Sequence, residues 1–115
     1  MKTEKQLWHL IQIAGWDKDQ DYNRIKEKFS KFSKNTRLQL ATFINEKHKE
    51  LYDRFKEDWL GNPGIQVSDD GYSDLLAEVI GRGEKFFNDI TVKKLQEMAN
   101  TNDYAESFLY VTHED

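Results

Sequence analysis

An all-α fold, a bundle of five or six helices forming one domain over residues 1–115, follows from three features of the sequence. Apolar residues recur at three-to-four spacing along most of the chain, the period of a helix with one buried face. Proline occurs once in 115 residues. Breaks in the pattern coincide with residues that start or stop helices. The chain is of single-domain size. Its 37% hydrophobic residues, with 3 Trp, 5 Tyr and 7 Phe, suffice for one core.

Leu7, Leu10, Ile11 and Ala14, with Trp8 beside them, form the first stripe, and Gly15 is suited to end it. Asp17 to Asp21 is a polar break. Ile25, Phe29 and Phe32 then give a second stripe at i, i+4, i+7. Ser33 is placed to cap a long third helix with apolar positions Leu40, Phe43, Ile44, Leu51, Tyr52, Phe55 and Trp59. Gly61-Asn62-Pro63-Gly64 ends it, since proline cannot continue a helix. Helical spacing resumes through Tyr72, Leu75, Leu76, Val79, Ile80, Phe86 and Phe87, loosened by Gly81 and Gly83. Thr91 is a cap for a short helix holding Val92, Leu95, Met98 and Ala99. Asn100 to Asp103 reads as a turn. Tyr104, Phe108 and Val111 share a face of a last helix, in a segment whose FLYVT run is β-prone by composition.

Composition excludes several chemistries. With no Cys there is no disulfide, thiolate zinc site or thiol nucleophile. No apolar run approaches the roughly 20 residues of a membrane helix. The stretch MKTEKQLWHLIQIAG lacks the hydrophobic run and small-residue cleavage site of a leader. A cytoplasmic location is expected. Residues 1–60 carry 13 Lys and Arg against 10 Asp and Glu, and residues 61–115 carry 4 against 11. The overall net charge is -4.

The acidic stretch VSDDGYSD, Val67 to Asp74, is the main candidate for a site. Ser68 precedes the helical pattern and is a favoured N-cap. Asp69 and Asp70 fall in the first turn, where the helix dipole favours carboxylates. Those roles account for the three residues without a ligand. The competing reading is a hard-cation site, which needs several converging oxygens. Asp70 and Asp74, four apart, share a helix face, but the calcium-loop spacing is absent. No cofactor is called for, and no catalytic residue is assigned. His48 lies on the apolar side of the long helix and reads as a partly buried, hydrogen-bonded histidine. The basic tract Arg24 to Arg37 has six Lys or Arg against one Glu. With Ile25, Phe29 and Phe32 as a buried stripe, Lys26, Lys28 and Lys31 fall mainly on a solvated face, so nucleic acid is not the expected partner.

Several of these residues together resemble a known family. The segments are Trp8-His9-Leu10-Ile11, Tyr52 with Trp59, Gly64, Ser68-Asp69-Asp70-Gly71-Tyr72-Ser73-Asp74, Ile80-Gly81-Arg82-Gly83, and Glu106-Ser107-Phe108-Leu109-Tyr110-Val111. The pattern is similar to domain-of-unknown-function family 4240, small bacterial proteins found alone or beside other modules. The similarity covers nearly the whole chain, and the Ser-Asp-Asp segment is its specific part. The resemblance implies an all-helical fold and that the Ser68–Asp74 turn is a shared feature. Where that family usually carries an aromatic-Arg pair and then Trp, this chain has Leu75-Leu76 and Glu78.

The expected function is a non-enzymatic protein-interaction domain, regulatory or immunity-like, contacting another protein through Ser68, Asp69, Asp70, Tyr72 and Asp74. The alternative is an enzyme or ligand-binding protein that uses the same acidic turn with a divalent cation.

Overall fold

The computed structural model describes residues 2–16, 21–60, 69–101, 108 and 112, with backbone alone at 57–60 and 69–71. It contains six helices and, among the described residues, no strand. They are α1 (Glu4–Ala14), α2 (Tyr22–Ser30), α3 (Lys34–Leu60), α4 (Asp69–Gly81), α5 (Glu84–Asp89) and α6 (Val92–Asn100).

The ends of these helices are set by short-range chemistry. The Gln6 backbone N–H donates to Thr3 Oγ1 at 3.2 Å, and the Thr3 backbone N–H donates to Gln6 Oε1 at 2.9 Å. This reciprocal pair satisfies two backbone donors that a helix start leaves open. At the other end of α1, Gly15 adopts a left-handed φ of 81°, accessible to glycine at little cost. Asp21 caps α2 through the Arg24 N–H, and Thr91 caps α6 through the Lys94 N–H, each at 3.2 Å. Ser33 Oγ accepts from the Thr36 N–H at 3.2 Å, as expected for the cap of α3. Two cations complete helix ends from a distance. Lys28 donates to the carbonyl of Ala14 at 3.0 Å, and Arg54 donates to the carbonyls of Phe87 and Ile90 at 3.3 and 2.7 Å.

The continuous pattern from Tyr72 to Phe87 divides into two helices. Gly83 sits at φ 108°, a conformation that side-chain-bearing residues rarely adopt, and α5 starts immediately after it. The helix α4 is the centre of the bundle and packs on α3, α5 and α6. Every residue from Leu75 to Gly81 is buried, so this helix presents no polar face there. Around it lie Leu7, Trp8, Ile11 and Ala14 of α1, Ile25 and Phe29 of α2, and Leu40, Phe43, Ile44, Leu51 and Phe55 of α3. Phe87, Ile90, Leu95, Met98 and Ala99 close the core. Leu10 and Phe32 are half-buried against it. Tyr52, placed on the apolar stripe by spacing, is instead exposed. The last helix expected over Tyr104 to Val111 lies outside the described residues apart from Phe108. Phe108 is buried, 5.0 Å from the Trp16 ring.

Candidate functional site at the α3–α4 junction

The start of α4 lies against the middle of α3. Asp69 and Asp70 occupy the first turn of α4, the position expected from the sequence. Ser68 lies outside the described residues, so its capping role does too. Tyr72 is buried, while Ser73 and Asp74 are half-buried. Across from them, His48 and Tyr52 are one turn apart on α3 and share a face.

A polar contact and an aromatic contact help to join the elements. His48 Nε2 lies 3.0 Å from the Ser73 carbonyl oxygen and 3.2 Å from Ser73 Oγ. The Tyr52 and Tyr72 rings are 5.7 Å apart at 54°. A carbonyl oxygen can only accept, so the 3.0 Å contact assigns the proton to Nε2. That nitrogen then has no lone pair with which to take the Ser73 hydroxyl proton. Proximity alone suggests a nucleophile and its base, but this protonation state instead makes His48 a strut that pins the first turns of α4. Half-buried and hydrogen-bonded, His48 matches the reading of its sequence position.

Tyr72 and Ser73 of the acidic stretch are thus part of a packed junction, with Asp74 half-buried beside them. No group of three or more His, Cys, Asp or Glu able to hold a metal occurs among the described residues. The solvated-face reading of the basic tract also acquires detail. Lys28 is engaged with the Ala14 carbonyl, and the Lys26 ammonium lies 5.6 Å from the centre of the Tyr22 ring.

Sequence reasoning missed a second polar cluster. Glu78 is fully buried in α4, where its carboxylate accepts from the Trp16 indole N–H at 3.0 Å and from Arg82 Nε at 2.8 Å. The Arg82 guanidinium lies 5.1 Å from the Phe86 ring centre. The available signal was Glu78 with Arg82 at i, i+4, inside a run otherwise apolar from Leu75 to Ile80. A carboxylate amid so continuous an apolar run needs a partner, and the first cation in reach was Arg82.

Comparison with family models, with curated proteins and with solved structures gives no match. The site is therefore judged on its own geometry. No described helix is long and apolar enough to cross a membrane. Another cation, Lys47, sits at the α1–α3 contact, 3.2 Å from Glu4 and 3.1 Å from Glu50. Its ammonium also lies 5.5 Å from the centres of the Phe43 and Phe87 rings. Burial works against the charged ammonium, but hydrogen bonds and attraction from Glu50 and Glu4 outweigh it and hold Lys47 above the ordinary lysine value.

Proposed function

We propose that this chain is a non-enzymatic interaction domain of the bacterial cytoplasm, regulatory or immunity-like, whose contact with another protein centres on the start of α4. The observation that supports this is Tyr52. The residue is 46% exposed, yet its ring packs against that of the buried Tyr72. A tyrosine fixed in place and open to solvent presents contact area at little entropic cost, and for that reason such residues are frequent in interfaces. Ser68, Asp69, Asp70, Tyr72 and Asp74 are the acidic stretch that would surround it. The resemblance to domain-of-unknown-function family 4240 favours a shared role for that stretch.

The test is affinity capture of the tagged chain from extract of its native cell, with mass spectrometry of what is retained. A stoichiometric protein lost on Tyr52→Ser supports the reading. A preparation that retains nothing, but gains thermal stability with magnesium, manganese or calcium, would reverse it in favour of the cation site, because a ligand of the folded state raises stability.

A further inference from the structure

We infer that the outer flank of α1 is a second docking surface, and that its occupant is an acidic protein segment carrying an apolar anchor. This goes beyond the contact proposed at α4. A depression of about 470 Å³ runs along this flank, lined among the described residues by Lys2, Lys5, Gln6, His9 and Leu10. Its described lining holds two ammonium groups, an imidazole and no carboxylate, on a chain whose net charge is -4.

Nearby chemistry leaves these cations available. Glu4, between Lys2 and Lys5 in sequence, is drawn to Lys47 at 3.2 Å. Gln6 is committed to the Thr3 cap. Among the described residues neither the Lys2 nor the Lys5 ammonium has an ion-pair partner. Lys5 and His9 are one turn apart, roughly 6 Å along the helix axis, and lie on one face. The partial positive charge of the α1 N-terminus adds to that of the Lys2 and Lys5 ammonium groups. Leu10, half-buried against the core, and the aliphatic stems of the lysines supply an apolar floor.

Charge complementarity then names the occupant. Carboxylates spaced about one helical turn apart would meet Lys5 and His9, and an apolar side chain between them would cover Leu10. Nucleic acid fits less well. Tight backbone binding uses a long track of phosphate contacts, and an acidic chain repels the remainder. A membrane surface fits less well too, because an interfacial helix inserts its apolar face. Here that face, Leu7, Trp8, Ile11 and Ala14, is buried in the core.

A random peptide library displayed against the purified full chain tests this. Selected peptides should carry Asp or Glu flanking one large apolar residue. Lys2→Glu combined with Lys5→Glu should weaken them roughly tenfold or more, as should Asn and Gln in place of the peptide's acids. A peptide bearing Lys at those positions should regain binding to the charge-reversed chain. Both substitutions are on exposed or half-buried side chains, and an unchanged circular dichroism spectrum confirms the fold. Selected peptides without acids, or indifferent to the lysine variants, overturn the inference. So does a selection that yields no peptide, or binding only of single-stranded RNA or phosphatidylglycerol vesicles. Peptides lost on Tyr52→Ser, but unaffected at Lys2 and Lys5, overturn the α1 surface while leaving the α4 contact standing.

Discussion

Trp16 and Glu78, 62 positions apart in sequence, meet through a 3.0 Å hydrogen bond from the indole N–H to the carboxylate, and both are fully buried. Arg82 supplies the counter-charge from one turn further along α4. The arrangement ties Trp16, two positions past the end of α1, to the central helix. Removing the Glu78 carboxylate takes the acceptor from the buried Trp16 indole and the counter-charge from the half-buried Arg82, at a cost of about 3–5 kcal/mol. Glu78→Ala should lose that much in urea unfolding. Glu78→Gln, which retains an acceptor for Trp16, should lose distinctly less. Equal losses would mean that the indole bond contributes nothing.

Gly81 lies under the same indole. A Cβ built on it would fall 2.5 Å from Trp16 Cδ1 and 3.0 Å from Phe108 Cδ1. In helical backbone Gly→Ala ordinarily gains up to about 1 kcal/mol, and Gly81 is the last residue of α4. Here the clash should reverse the sign, and Gly81→Ala should destabilise by about 1–3 kcal/mol. Since the close contact is chiefly with Trp16, part of the loss should disappear in a Trp16→Ala background. A double-mutant cycle measured by chemical denaturation reads this coupling directly. Purely additive losses would place the clash elsewhere.

These two contacts show where sequence reading succeeds and where it stops. The stripes of α1, α2 and α6 were legible because each helix buries one face and exposes the other. Thr91 and Ser33 were legible as caps because a cap depends on residues only three positions away. The α4 stripe gave the helix but hid its break, since apolar spacing continues across Gly83, where the backbone turns to φ 108°. Tyr52 was misplaced for a related reason. Spacing puts it near Leu51 and Phe55, but only the position of α4 determines which edge of the α3 stripe is covered. The Trp16–Glu78 pair joins distant residues, and no local pattern encodes it. Of the candidate site, Asp69 and Asp70 in the first turn of α4 were legible, whereas the pairing of His48 with Ser73 required the fold.

Lys47 predicts an alkaline dependence. Its value is raised in the folded chain by Glu50 and Glu4, so the folded state holds this proton more tightly than the unfolded state does. The stabilisation is therefore fully present below the unfolded lysine value, about 10.4, and is lost as pH rises through the higher folded value. Lys47→Met keeps the aliphatic packing on Phe43 and Phe87 but removes the titrating group. The native chain should lose more stability than this variant between about pH 9 and 12. Parallel stability profiles over that range would show that Glu4 and Glu50 do not hold the charge.

Tyr52 and Tyr72 separate contact from core. Tyr52 is exposed and Tyr72 is 5% exposed. Tyr52→Ser removes an aromatic pair and part of a helix surface, a loss of about 1 kcal/mol. Tyr72→Ala empties a packed position and should cost about 3–5 kcal/mol. A partner protein that binds at the start of α4 should dissociate from the Tyr52 variant while its melting temperature stays close to that of the native chain. His48→Ala provides the control, because it loosens the same junction through the Ser73 hydrogen bonds without altering the exposed ring. Partner loss in the His48 and Tyr52 variants alike would mean that the orientation of α4 governs binding. Loss in the Tyr52 variant alone would place the contact on the ring itself. Retention in both would move the partner away from this junction.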